Sequence, residues 1–268
     1  MLKFKNSAAN GQEMYITGDI IDDADGETLA FWLGDEGKDY ISTKYNWPAD
    51  IKAQLDAMDR NKPLTVYINS DGGSVPAGIA ISNMLKRWGA PVTTVVDGWA
   101  CSIATQIFFS GNVRRMPTNA YLMIHKPTVI CSGNADDMRK AADILDTLQD
   151  GLESTYRAAA KNVTSEEIHK MVDTETWLTG EEACDIFNIE PLAPVNAVAK
   201  FNRAADRFRN IPADIKREKF TAQTVTPPPA KESEKVSDKA EKARDYIAAT
   251  LLNANKAIVK AAFMAAER

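Results

Sequence analysis

Three segments decide the fold of this chain: LTVYINSDGGSV at residues 64–75, VTTVVDGWACSIATQ at residues 92–106 and AYLMIHKP at residues 120–127. Each opens with an apolar, β-branched run, which is typical of a buried strand. Each then closes on groups that are useful in acyl-transfer chemistry, namely Gly72-Gly73, Ser102 and His125. In sheets of this kind, functional groups gather at the carboxyl ends of the strands, so we expect these residues to meet there.

The wider pattern predicts an α/β fold. A fourth strand-like run stands at Met14–Thr17, and helical patterns lie at residues 49–58, 75–88 and 102–110. This βαβ alternation favours a largely parallel sheet that is covered by crossover helices.

A long helix is predicted after residue 133, with Asn134 as its N-cap and Asp136 and Asp137 in its positively polarised first turn. Its apolar residues form a narrow stripe, which fits either packing on another subunit or packing across its own core. Two capping boxes, Thr164 with Glu167 and Thr179 with Glu182, predict short helices further along the chain.

Composition limits the class of protein. A net charge of −5 argues against nucleic acid as a partner, and no apolar run has the length of a membrane span. The N-terminus has no apolar core of a secretory signal, and the three cysteines form no CxxC pair, which suits a reducing compartment. We therefore expect a cytoplasmic protein. The sequence contains neither a metal-ligand cluster nor a phosphate-binding loop, so we expect no cofactor and no metal.

The candidate chemistry is that of a serine nucleophile. Ser102 lies in a small-residue turn where a strand passes into a helix, a position that exposes a hydroxyl, although most serines at such places are simple N-caps. A serine hydroxyl needs a base within hydrogen-bond reach, and His125 is the candidate for that base. The backbone N–H groups of Gly73 and Ile103 would form an oxyanion hole. The alternative interpretation of Gly72-Gly73 is a tight turn without a catalytic role.

A third residue must hold the far nitrogen of the imidazole. Glu175 and Asp173, in the segment MVDTETWL, are the candidates, and the sequence pattern alone does not separate them. The second histidine, His169, lies in a polar helical segment and is interpreted as a surface residue.

The chain divides into three parts by composition. Residues 1–200 hold the predicted catalytic domain, and residues 201–235 form a basic and then proline-rich linker. Residues 236–268 predict a helical tail with an alanine-rich stripe, which suits a docking or scaffold segment as well as a solvated tail.

With these residues assembled, the sequence resembles the Clp peptidase family, and within it the phage prohead (head-maturation) branch. The resemblance rests on YINSDGGSV, GWACSIA and LMIHKP, followed by GNAD at residues 133–136 and ETWLT at residues 175–179. It covers about residues 14–190. It implies a ClpP/crotonase-like fold with repeated β-β-α units, a long handle helix and a C-terminal helical tail.

The resemblance also implies roles for individual residues. Ser102 would be the nucleophile, His125 the base, and Glu175 the acid, with Asp173 in reserve. The implied oxyanion hole is formed by Gly73 and Ile103. The implied substrate-binding residues are Gly72, Ser74, Val75, Thr128, Val129 and Ile130, of which the last three pair with an extended substrate strand.

The same resemblance implies partners and a location. We expect a homo-oligomeric ring, as a heptamer or a stacked double ring, which acts on capsid, scaffold or portal precursors in the cytoplasm of a bacterial host or inside the prohead. The enzyme's own tail is a further candidate substrate. The rival interpretations are a crotonase-like acyl-CoA enzyme and an assembly or scaffolding protein of the same fold without catalysis.

Three positions depart from the family pattern. Asp71 replaces the usual proline before Gly-Gly, and Cys101 precedes the serine where alanine is common. Glu175 replaces aspartate, and its extra methylene alters the expected reach of the acid to His125.

Overall fold

The computed structural model describes residues 4–7, 11–31, 44–194 and 208–211. The strands in chain order are β1 (Phe4–Ser7), β2 (Gly11–Ile20), β3 (Tyr45–Asn46), β4 (Leu64–Gly73), β5 (Val92–Cys101), β6 (Val113–Pro117), β7 (Tyr121–Ile124), β8 (Thr176–Thr179) and β9 (Glu190–Leu192). The helices are α1 (residues 23–31), α2 (Pro48–Asp56), α3 (Val75–Lys86), α4 (Ala104–Phe108), α5 (Ala135–Ala159), α6 (Ser165–Asp173) and α7 (Gly180–Ile186).

One mostly parallel sheet organises these elements. Strands β2, β4 and β5 are parallel neighbours, and β5 then divides its pairing between two partners. Residues 93–95 of β5 pair with β6, whereas residues 99–101 pair with β7. The two halves of β5 therefore have different neighbours on the same side. The register with β4 shifts between Ile68 and Ser70, which marks an irregularity of the kind that bends a strand. The carboxyl ends of β4, β5 and β7 therefore lie side by side.

The core is continuous across the sheet and its covering helices. Strands supply fully buried residues such as Ile16, Ile68 and Val96, while α4 supplies Ile107 and Phe108. Burial along β4 alternates strictly, because successive side chains point to opposite faces of a pleated strand. This packing holds the strand ends that carry the candidate site.

The predicted α/β class and parallel sheet are confirmed. All four predicted strands are present, and the long helix is α5, with Asn134 and Asp137 forming a reciprocal capping box. Both further capping boxes begin helices as expected, at α6 and α7. The short strands β1, β3, β6, β8 and β9 were not predicted, because runs of two to five residues carry little periodic signal.

The remaining expectations concern the linker and the tail. The tail at residues 236–268 lies outside the described residues, and the linker at residues 201–235 is described only at residues 208–211. Among the described residues, no helix combines the length and apolar character that a membrane span requires.

Candidate active site

The structure brings Ser102 and His125 into direct contact. The two residues follow the ends of neighbouring strands β5 and β7, and Ser102 Oγ lies 2.8 Å from His125 Nε2. This distance is within the normal range of a strong hydrogen bond. A hydroxyl and an imidazole in this contact have the geometry that proton abstraction by a general base requires.

Ser102 owes its position to an unusual backbone conformation. Its φ is +56°, a left-handed value that few non-glycine residues adopt. The turn is held by a hydrogen bond from Ser102 N–H to the carbonyl of Met123 (2.9 Å) and by one from the Thr105 hydroxyl to the Ser102 carbonyl (2.6 Å). These bonds fix the serine at the exposed end of β5, where its side chain is only partly buried.

The glycine pair closes the other side of the turn. Gly72 and Gly73 have φ values of +89° and +143°, which L-residues rarely adopt. A Cβ on Gly72 would lie 2.7 Å from the carbonyl oxygen of Cys101 and 3.2 Å from the amide nitrogen of Ile103. Gly73 is exposed next to this contact. Gly72 therefore allows the backbone of β4 to approach the serine turn closely, whereas a Cβ on Gly73 would meet the backbone of Ile20 in β2. The amide of Ile103 lies at the junction between Gly72 and the serine turn.

The two candidate acids have different surroundings. Glu175 also has a left-handed φ of +51°, and its Oε1 accepts hydrogen bonds from the backbone N–H groups of Arg209 and Asn210 at 2.7 Å each. Asp173 is exposed and forms an ion pair with Lys126 at 2.8 Å. In the part of the chain that the structure describes, neither carboxylate forms a hydrogen bond or ion pair with His125.

Electrostatics nevertheless link Glu175 to the imidazole. Burial lowers the pKa of His125; the negative charge of Glu175 opposes this shift, and the positive charge of Arg209 adds to it. Of the two candidate acids, Glu175 is therefore the one whose charge acts on the pKa of His125. A lowered pKa keeps the imidazole neutral near pH 7, which is the protonation state of a general base.

Cys101, which precedes the serine, is fully buried. Burial raises the pKa of its thiol well above the ordinary range, and the charges of Asp71 and Glu175 raise it further. Since the thiolate is the reactive form of cysteine, Cys101 is a packing residue in this structure.

The predicted substrate-binding residues fall into two groups. Ser74 is buried, and its hydroxyl donates a hydrogen bond to Asp22 Oδ1 at 2.6 Å. The same oxygen accepts from the backbone N–H of Ala77 as the N-cap of α3, so this side chain stabilises the fold. Val75 begins α3 directly after it. Residues 128–130 form no ladder among the described strands, and Ile130 is 47% exposed. Their predicted role in pairing with a substrate strand stays a prediction.

One segment at the site was missed by the sequence analysis. Phe208 packs edge-on against the rings of His125 and Trp177, with centroid distances of 5.9 and 5.4 Å. The next two residues donate the hydrogen bonds to Glu175. The available signal was a phenylalanine in a basic, polar stretch, which does not indicate where that stretch lies in three dimensions.

Comparison with known proteins concerns the family and the fold of the chain. The family model described as Clp protease matches residues 43–187, more than half of the chain. A solved structure of a ClpP1 mutant from Listeria monocytogenes superposes with a TM-score of 0.51 over 69% of this chain and 93% of that one. Its sequence identity is 24%, so this likeness concerns the fold.

Similar sequences include curated proteolytic subunits of ATP-dependent Clp proteases. Subunit 1 from Protochlamydia amoebophila is 35% identical over 136 residues, which are 49% of this chain and 65% of that protein. The subunit from Streptococcus equi subsp. equi is 36% identical over 149 residues, which are 54% of this chain and 76% of that protein. The match to the family model and the similarity to the Streptococcus equi subunit both show that this chain belongs to the Clp protease family.

Proposed function

We propose that this protein is a serine endopeptidase in which Ser102 is the nucleophile and His125 the general base. The observation that carries the proposal is the 2.8 Å contact between Ser102 Oγ and His125 Nε2 at the ends of β5 and β7. Membership of a family of peptidases supports it. A crotonase-like enzyme would not need a serine and a histidine in this contact, so the geometry favours the peptidase.

The proposed reaction has two stages. Ser102 Oγ attacks the scissile carbonyl while His125 takes the hydroxyl proton, and the same imidazole then gives that proton to the leaving amine. The backbone N–H groups of Gly73 and Ile103 receive the oxyanion, a contribution of about 3–4 kcal/mol per donor in comparable sites. A water molecule that is activated by His125 then hydrolyses the acyl-enzyme.

Glu175 is the proposed acid of the triad. The negative charge of Glu175 acts on His125 and opposes the lowering of its pKa, whereas Asp173 is exposed and forms an ion pair with Lys126. The charge of Glu175 would stabilise the imidazolium that forms in each stage.

The proposed substrates are precursors of phage capsid, scaffold or portal proteins, cleaved during prohead maturation. The support is the resemblance of the segments at residues 133–136 and 175–179 to the prohead branch of the family. The protein's own tail, residues 236–268, is a further proposed substrate, and the working form is a homo-oligomeric ring, as a heptamer or a double ring.

Co-expression with a phage capsid precursor tests this function. Wild type is expected to shorten the precursor, and Ser102→Ala is expected to leave it intact, as measured by intact mass. Cleavage that persists in Ser102→Ala would contradict the assignment of the nucleophile. A precursor that stays whole with both proteins, while particles still assemble, would favour the non-catalytic assembly protein.

A further inference from the structure

Four consecutive residues after the catalytic domain, Phe208–Ile211, lie on the candidate active site and are called the strap. The first residue of the strap packs in an apolar cluster whose members are Trp99, Cys101, Met123, Tyr121 and Trp177. Its ring also stands edge-on to His125, at a centroid distance of 5.9 Å and an angle of 79°. Phe208 therefore anchors the strap and covers the imidazole from one side.

The middle of the strap binds the candidate acid. The backbone N–H groups of Arg209 and Asn210 both donate to one oxygen of Glu175, Oε1, at 2.7 Å. The side-chain amide of Asn210 donates in addition to the carbonyl of Thr174 at 2.7 Å, and Ile211 is buried at the end of the strap. Hydrogen bonds to a carboxylate are about twice as strong as neutral ones, so the acid is firmly engaged.

This engagement works against the triad. A triad acid must accept a hydrogen bond from the imidazole, yet in the described structure Glu175 bonds to the strap and forms no hydrogen bond with His125. Arg209 also places a positive charge near the imidazole, and this charge lowers the pKa of His125 beyond the effect of burial. Both effects disfavour the imidazolium that acyl transfer must form.

We propose that the strap is an autoinhibitory element that holds the enzyme in a low-activity state by binding Glu175 and covering His125. This inference rests on the proposed peptidase function of the same site. Release of the strap frees the carboxylate to turn to His125 Nδ1 and complete the triad. Among the described residues, the hydrogen bonds of the strap go to Glu175 and Thr174, and its ring contacts include His125, so the strap acts on the proposed acid and base.

The alternative role for the strap is to orient Glu175 for catalysis. The two roles predict opposite changes when the strap is loosened, because an inhibitor slows the enzyme and an orienting element speeds it. The reactivity of Ser102 toward a fluorophosphonate probe separates them, since this probe needs the serine and its base but no knowledge of the natural substrate.

The experiment uses the full-length chain and compares Asn210→Pro with Asn210→Ala. Proline removes a backbone N–H that Glu175 accepts, whereas alanine keeps this N–H and loses only the side-chain bond to Thr174. Phe208→Ala removes the anchor independently. Ser102→Ala reports labelling at other residues, and circular dichroism reports whether each variant is folded.

We expect Asn210→Pro and Phe208→Ala to label about tenfold faster than wild type at pH 7, the gain when a competent state of about 10% population becomes dominant. Asn210→Ala is expected to stay closer to wild type. The charged groups that act on His125 are Glu175 and Arg209, with the Lys126–Asp173 pair adjacent. Release of the strap moves the positive charge of Arg209 away from His125 and brings Glu175 closer, and both changes raise the pKa of His125. The acid limb of the pH profile of the labelling rate is therefore expected to move to higher pH.

Slower labelling in both loosened variants, with an unchanged acid limb, would overturn the autoinhibitory role in favour of orientation. Equal labelling in wild type and variants would overturn the strap proposal alone. No labelling of Ser102 in any folded variant would overturn the proposed peptidase and the strap together.

Discussion

Ser102 and Glu175 share a backbone property that marks the site. Among the described residues, they are the two non-glycine positions with a positive φ. Such conformations cost on the order of 1–3 kcal/mol and persist where the surrounding structure holds them. Both positions belong to the proposed triad, so local strain and proposed chemistry coincide.

The two candidate acids can be separated by isosteric substitution. We expect Glu175→Gln to reduce the activity of Ser102 on the order of 10³-fold, since a neutral amide cannot stabilise the imidazolium. Asp173→Asn is expected to stay within about threefold of wild type, because an exposed ion pair contributes little. The measurement is the rate of precursor processing in a strap-released background such as Phe208→Ala. The reverse order of effects would assign the acid to Asp173.

Alkylation tests the role of the buried cysteine. Burial raises the pKa of the Cys101 thiol, so we expect iodoacetamide at pH 7.5 to leave this residue unmodified and Ser102 labelling unchanged. Cys131 is partly exposed and provides the internal control, since it is expected to be modified. Peptide mapping identifies the modified thiol. Alkylation of Cys101 together with loss of activity would contradict its assignment as a packing residue.

Among the structural elements, the junction between β4 and the serine turn leaves no room for a side chain at position 72. A methyl group at position 72 would lie 2.7 Å from the Cys101 carbonyl and 2.8 Å from Ser102 Cβ, at a φ of +89°. We expect Gly72→Ala to lower the free energy of unfolding by about 1–3 kcal/mol and to abolish Ser102 labelling. Urea denaturation and probe labelling measure these two effects.

Gly151 provides the matched control for this substitution. It lies within α5, and a Cβ there would meet nothing within 4 Å. Gly151→Ala is therefore expected to raise the free energy of unfolding by about 0.5–1 kcal/mol, since alanine is the better helix former. If Gly72→Ala were as stable and as reactive as wild type, the close approach of β4 to the serine turn would be wrong.

The contact between α5 and α6 depends on a buried carboxylate. Glu153 has no exposed side-chain area and is bound by Arg157, by Gln149 at 2.7 Å and by His169 at 2.9 Å. His169 was interpreted from sequence as a surface residue, and its side chain is in fact 54% exposed while it makes this contact.

Removal of that carboxylate leaves its partners without a charge to bind. We expect Glu153→Ala to lower the free energy of unfolding by about 2 kcal/mol, because the buried amide of Gln149 loses its acceptor and Arg157 loses its ion pair. Asp150→Ala, at an exposed position of the same helix, is expected to change it by less than about 0.5 kcal/mol. Urea denaturation compares the two variants, and equal stability would show that the buried network contributes nothing.

Prediction from sequence succeeded for elements with strong local signals. The strands β4, β5 and β7 carry apolar runs, and the three predicted N-caps are followed by an acidic residue three positions later. The strands and the helix starts could therefore be predicted from local sequence alone. The proximity of Ser102 to His125 followed from the rule that functional groups meet at strand ends. The strap did not follow from any rule, because its contact with Glu175 is made by backbone N–H groups of an irregular segment.

For the molecule as a whole, we propose that the long helix α5 contributes to a contact between subunits. Proteins of this family form oligomeric rings. The first turns of α5 keep apolar surface outside the core: Met138 is 38% exposed, and Leu145 and Leu148 are only partly buried. This surface suits packing against another subunit, the first of the two roles expected from the sequence.

A double substitution tests this interface. Leu145→Glu with Leu148→Glu is expected to convert the proposed ring to smaller species, because two charges buried without partners would disfavour the subunit contact. Sedimentation velocity measures the change, with Asp150→Ala as a control that keeps the wild-type species. A ring that persists in the double variant would place the subunit contact elsewhere.

The central claim is that Ser102, activated by His125, is the nucleophile of a peptidase. Peptide mapping after fluorophosphonate treatment of the wild type, Ser102→Ala and His125→Ala tests it most directly. The expected result is one adduct on Ser102 in the wild type, none in Ser102→Ala, and a much slower reaction in His125→Ala. An adduct on a different residue, or equal labelling of Ser102 without His125, would contradict the claim.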